Sequence, residues 1–158
     1  MNKGYISSSQ VIKGMSDSII AKTENNDCVV RAIATATDMD YDSAHKFTKE
    51  TFKRRDKKGA HMFATTINLL SKNNKQINGK NVQIITEEYN TMLYYVTVKG
   101  QKVLRQTTTG SFIKRYPVGT YIVTVKGHAF TIKDGVVIGN LDDGKKMKKR
   151  INGAWKIV

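Results

Sequence analysis

The chain has 158 residues, with 27 Lys and Arg against 13 Asp and Glu and a net charge of +14. That length suits one domain spanning residues 1–158, and a mean hydropathy of −0.44 with only short apolar runs excludes a membrane span. One cysteine excludes an intrachain disulfide and a Cys-based structural zinc site, which leaves Cys28 as either a small buried apolar residue or a reactive thiol.

The opening stretch, MNKGYISSSQVIKGMSDSII, has neither a continuous apolar core nor a small-residue cleavage site. It reads as a less regular N-terminal segment over residues 1–20 rather than a secretory signal, and a cytoplasmic protein is expected. The polar TENND follows. From Val29 to Thr37, Val29, Ile33 and Ala36 fall on one face of a helix, and Cys28 stands at its start. A second helix is predicted from Asp42 to Arg54, with Ala44, Phe47 and Thr51 inward and Asp40 or Asp42 as N-cap. The basic KRRDKKG ends it, and a third helix from Ala60 to Ser71 stacks Phe63, Ile67 and Leu70.

The period then changes. VQIIT from Val82 and MLYYVTV from Met92 to Val98 alternate like strands and are rich in β-branched and aromatic residues. A short helix is predicted at Thr109 to Arg115, then the strands TYIVTV, HAFTI, VVI and AWKIV, with Asp134-Gly135 as a tight hairpin turn. Helices first and an antiparallel sheet last predict an α+β fold.

A thiol at a helix start is placed to ionise, because unpaired N–H groups and the helix dipole stabilise the thiolate. Such a nucleophile needs a base, and the base needs an orienting partner. His128 heads a strand whose alternation puts His128, Phe130 and Ile132 on one face. Across the hairpin, Asn140 can return beside it, and Asp142 is the second candidate for the same role. His45 and His61 fall in predicted helices and read as partly exposed residues without a role. No HxH, HExxH or paired-Cys spacing is present, so neither a metal nor a cofactor is expected.

These segments, NDCVVRAIATAT at Asn26 to Thr37 and GTYIVTVKGHAFTIKDGVVIGN at Gly119 to Asn140, resemble the papain-like cysteine peptidases, in particular their compact bacterial and phage members. The resemblance implies a papain-like α+β domain in which Cys28 is the nucleophile, His128 the base and then acid, and Asn140 the orienter, with Asp142 kept from the residue reading as the second candidate. It also implies a peptide or protein substrate, and a place in the host cytoplasm or virion if the source is viral. Three departures stand out. The segment AKTENND lacks the Gln that donates to the oxyanion, so Asn25, Asn26 or the Cys28 N–H must serve. Val29 replaces the usual aromatic. The gap from Cys28 to His128 is 100 residues, against roughly 130 to 150 in full-size enzymes.

Two basic runs, Lys53-Arg54-Arg55-Asp56-Lys57-Lys58 and Lys145-Lys146-Met147-Lys148-Lys149-Arg150, read as solvated loops or as one shared anion-binding patch. A second function class is therefore kept: a basic binding protein with the same fold but no catalysis, whose partner is nucleic acid or an acidic protein. No recognised nucleic-acid module supports it.

Overall fold

The change of period near Val82 is also where the architecture changes. In the computed structural model, which describes residues 4–158, strand β1 (Tyr5–Ser7) and a 3-10 turn at Ser8–Gln10 open the chain. Helices α1 (Ile19–Thr23), α2 (Cys28–Thr37), α3 (Tyr41–Thr51) and α4 (Phe63–Lys72) follow. Then come β2 (Val82–Ile85), β3 (Leu93–Val98), β4 (Gln101–Gln106), α5 (Thr109–Arg115), β5 (Thr120–Val125), β6 (His128–Lys133), β7 (Val136–Gly139), α6 (Leu141–Lys145) and β8 (Gly153–Ile157). The first three residues of the 1–20 segment lie outside the described residues. The fold is α+β, with helices first and a mostly antiparallel mixed sheet after them. No helix among the described residues is long and apolar enough to cross a membrane.

Six strands form one sheet in the order β1-β7-β6-β5-β8-β2, antiparallel throughout except for β1 beside β7. The predicted Asp134-Gly135 turn joins β6 to β7, with φ of 47° and 77° at its two residues. β3 and β4 pair with each other as a hairpin separate from the six-stranded sheet. β1 and β4 are absent from the sequence reading. Three residues are too few to show alternation, and β4 (QKVLRQ) is exposed on both faces, so nothing forces an apolar period on it.

Alternation along the strands makes two cores. Ile122, Ala129, Trp155 and Ile157 face the helices, packing with Val30, Ile33, Phe63 and Ile67. Their neighbours Tyr121, Val123, Phe130, Ile132 and Ala154 face the other way and pack with Phe112 of α5 and Ile151. α2 buries Val29, Val30, Ala32, Ile33, Ala34, Ala36 and Thr37, more than a one-sided stripe, because β6 covers one side and α3 another. Full burial of Ile33 or Val30 contributes about 1.5–3 kcal/mol each. The helix stops where Asp38 turns left-handed (φ 59°), and Asn78 Nδ2 donates to the Thr37 carbonyl at 2.7 Å. One buried bond ties the two halves together: Thr131 Oγ1 on β6 donates to the Ala32 carbonyl on α2 at 3.0 Å.

Three sequence expectations for the helical half are corrected. α3 buries Tyr41, Ala44, His45 and Thr48, while Phe47 and Thr51 are half-buried. The face is turned because the polar tips of Tyr41 and His45 find partners inside: Tyr41 O–H donates to Asp27 Oδ2 at 2.7 Å, and His45 Nε2 lies 2.7 Å from Glu24 Oε2. His45 is therefore a buried residue. α3 also ends at Thr51, and Lys53 with φ 57° turns Arg54 inward. Arg54 is only 2% exposed; its guanidinium meets both Glu24 oxygens, at 3.1 and 3.2 Å, and the Asn25 carbonyl at 3.1 Å. It belongs to a buried ion pair and is removed from the exposed basic run. Burial pushes the Glu24 carboxyl up, but hydrogen bonds from Arg54 and His45 outweigh it and bring it down to about 2.

Candidate active site

Cys28 is the first residue of α2, so its N–H and those of Val29 and Val30 have no carbonyl partner within the helix. The loop before it is held from several directions. Asn26 is left-handed (φ 51°), and its Nδ2 donates to the Lys57 carbonyl at 3.1 Å and, more distantly, to Asn25 Oδ1 at 3.4 Å. That amide helps anchor the loop, while the Cys28 backbone N–H stands free of any helix carbonyl beside the thiol. Asp27 does not cap the helix. Its buried carboxylate accepts from Arg31 Nε on both oxygens, at 3.1 Å each, and from Tyr41 O–H.

His128 is the first residue of β6, opposite Val125 across a turn in which Gly127 takes φ 69°. The Thr131–Ala32 bond fixes the register of β6 against α2, which brings the head of the strand to the head of the helix. Cys28 and His128 line the same cleft and act on each other's ionisation. Burial pushes the Cys28 thiol up, but the His128 side chain and the N–H groups of Ala129 and Val29 outweigh it, so the thiol sits below its ordinary value. His128 moves the opposite way, to about 9, through its bond to Asp143 and then Cys28, against the effect of burial. Both shifts favour a thiolate beside an imidazolium.

The partner of His128 is Asp143. Asp143 Oδ2 lies 2.8 Å from His128 Nε2, and its side chain is 1% exposed. Asp142, the sequence candidate, is exposed and pairs with Lys146 at 3.3 Å, so it does not reach the imidazole. Asn140 comes close, with Nδ2 at 3.5 Å from His128 Nε2, the outer limit of a hydrogen bond. Its main task is local. It is the N-cap of α6: Asn140 Oδ1 accepts from the Asp143 N–H and Asp143 Oδ2 accepts from the Asn140 N–H, each at 2.9 Å. This reciprocal cap holds the carboxylate that His128 meets, and the N-x-x-D spacing is the sequence signal that would have singled out Asp143. Gly139 makes room for it, because a Cβ there would collide with Asp143 Oδ2 and come within 3.0 Å of Phe130 Cβ.

The cleft has a volume of about 680 Å³ and runs between Ser8 and Arg31, the Lys58–His61 loop, and Phe130, Ile138 and Gly139. A neighbouring groove of about 420 Å³ shares Cys28, His128, Gly59 and His61 and continues past Phe63, Ala64, Thr124 and Asn152. The Cys28–His128 pair therefore stands where two grooves meet. His61 is exposed in the turn before α4, a correction to its predicted place in a helix, and lines both grooves.

The basic runs are carried by different faces of the molecule. Lys53, Arg55, Lys57 and Lys58 are exposed on the α3–α4 loop, and Lys58 borders the cleft. Lys145, Lys146, Lys148 and Arg150 are exposed and Lys149 half-buried, in a loop pinned to the start of α5 by Thr109 N–H to the Lys149 carbonyl (3.0 Å) and Gly110 N–H to the Met147 carbonyl (2.8 Å). α3 and α4 pack on one face of the sheet and α5 on the other, so the runs are separate exposed loops, the first of the two sequence readings, rather than one shared patch, the second.

Glu24, His45 and Asp56 bring three potential ligand atoms within 4.8 Å of one another. Arg54 already holds Glu24 at 3.1 Å, so this cluster is an ion-pair network hostile to a cation. Comparison of the chain with protein-family models, curated proteins and solved structures finds no match.

Proposed function

We propose that the protein is a cysteine-nucleophile hydrolase with a papain-like arrangement, acting on an amide, isopeptide or thioester carbonyl through Cys28, His128 and Asp143. The observation that carries this reading is the convergence of three separate elements: a thiol at the start of α2, an imidazole at the start of β6, and a buried carboxylate on α6 at 2.8 Å from the imidazole. With Nε2 facing Asp143, the ring leaves Nδ1 for the thiol. The carboxylate fixes the ring and stabilises its charged form.

The chemistry follows from those roles. The Cys28 thiolate attacks the carbonyl carbon, and the resulting oxyanion meets the Cys28 backbone N–H. The His128 imidazolium gives its proton to the leaving amine or thiol as the scissile bond breaks, leaving an acyl-thioester on Cys28 and a neutral imidazole. Water then gives a proton to His128 and attacks the thioester. The C–S bond breaks, a carboxylic acid leaves, and the thiolate–imidazolium pair is restored.

The test is turnover of unfolded casein and of a panel of small thioesters by the parent protein and by Cys28→Ala. Products formed by the parent and missing with the variant are expected; equal product formation, or none from either, overturns the reading.

A second reading, a basic binding protein, is favoured by one observation: the ordered 145–150 loop presents Lys145, Lys148, Lys149 and Arg150 with no acidic partner among the described residues. We propose nucleic-acid phosphates as its ligand, a property that does not depend on Cys28.

A further inference from the structure

The two grooves that meet at Cys28 differ in charge. The smaller runs past Val29, Phe63, Ala64, Thr124 and Asn152, and its ionisable lining residues, Cys28, His61 and His128, all stand at the junction. The larger adds Asp27, Arg31 and Lys58. Arg31 follows Cys28 by about one turn of α2, on the same side of the helix. Its Nε is held by Asp27, and Nη1 lies 3.4 Å from Ser8 Oγ. Nη2 has no acceptor among the described residues, and the side chain stays 34% exposed.

Asp27 offsets the charge of Arg31, but its oxygens are spent on Arg31 and Tyr41, so it offers the groove no free carboxylate. Lys58 is exposed and has no acidic partner among the described residues. The wall therefore combines a pre-positioned guanidinium with an uncompensated ammonium, the pairing that suits a carboxylate.

We propose that the larger groove is a carboxylate-binding subsite, in which Arg31 supplies a directed N–H and Lys58 the net charge for an acidic group next to the carbonyl that Cys28 attacks. This inference rests on the nucleophile reading and adds a substrate class to it. The carboxylate can belong to an acidic side chain or to a chain end, and the net charge of +14 steers either toward the molecule.

Three thiol-directed probes separate the possibilities: chloroacetyl-glutamine amide, which is neutral, chloroacetyl-glutamate amide, with a side-chain carboxylate, and chloroacetyl-glutamine free acid, with a terminal one. Alkylation rates of Cys28 at neutral pH and low salt, read by intact mass, are compared for the parent, Lys58→Gln and Arg31→Gln. The acid-to-neutral ratio cancels any change in thiolate fraction. A ratio of roughly fivefold for at least one acid probe is expected in the parent, falling toward unity in each variant; the faster acid probe identifies the carboxylate source. Fast alkylation with equal rates for all three probes overturns the subsite alone, as does an acid preference that survives both substitutions. A thiol no faster than in the unfolded chain toward every probe overturns the nucleophile reading, and this inference with it.

Discussion

Asp143 and His128 are 15 residues apart in the chain, yet Oδ2 of one lies 2.8 Å from Nε2 of the other, because β7 returns beside β6 and α6 starts immediately after it. Asp142, one position earlier on the same short helix, faces solvent. Asp143→Asn keeps the size and an acceptor for the cap but removes the charge. The apparent pKa of the Cys28 thiol is expected to rise toward the ordinary value of about 8.5, with thiol reactivity near neutral pH falling about tenfold or more. Asp142→Asn is expected to leave both unchanged. Equal effects of the two substitutions on the pH profile of alkylation would contradict the assignment.

Gly139 tests the same pair through space alone. A methyl group at that position would overlap Asp143 Oδ2, which is fixed by its bond to the Asn140 N–H. Gly139→Ala is expected to push the carboxylate off His128 and lower Cys28 reactivity, with a stability loss of about 1–3 kcal/mol as the α6 cap shifts. Urea unfolding alongside alkylation kinetics checks both; parent-like reactivity would mean that the carboxylate is not positioned as described.

The Glu24–Arg54 pair makes a stability prediction independent of catalysis. Both side chains are buried, so removing one charge strands the other, and Glu24→Gln is expected to cost about 3 kcal/mol or more in urea unfolding at neutral pH. Glu24 is held near 2, below its ordinary 4.5, so its contribution is present above pH 4.5 and is lost as pH falls toward 2. The gap between parent and variant should therefore close in acid. His128 has the opposite sign: raised to about 9, it contributes fully below its ordinary 6.5, and that contribution fades as pH rises through 9.

The 145–150 loop makes a salt prediction. If Lys145, Lys148, Lys149 and Arg150 all contact phosphates, the logarithm of duplex-DNA affinity should fall by about 3 to 4 per tenfold rise in salt, and Lys148→Gln with Arg150→Gln should remove about half of that slope. Fluorescence anisotropy across a salt series measures it. A slope unchanged by the double substitution would place the binding elsewhere.

How much of this was legible in the sequence depended on whether the determining contact was local. The helix at Cys28, the head position of His128 and the Asp134-Gly135 hairpin follow from period and turn chemistry, which act over a few residues. Choosing Asp143 over Asp142 required knowing which side of α6 faces the sheet; the cap spacing from Asn140 carries that information. Arg54 reads as one more charge in a basic run because its burial depends on Glu24, 30 residues earlier. β4 is exposed on both faces, and a strand that buries neither face leaves no alternation to read.

The most direct test of the central claim is the pH dependence of Cys28 alkylation by iodoacetamide, in the parent and in His128→Ala, with the unfolded chain as reference. The account predicts a thiol in the parent that ionises below its ordinary value, with a second change near pH 9 as the imidazolium loses its proton, and the loss of both features in the variant. A single ordinary thiol titration, the same in both proteins, would contradict it.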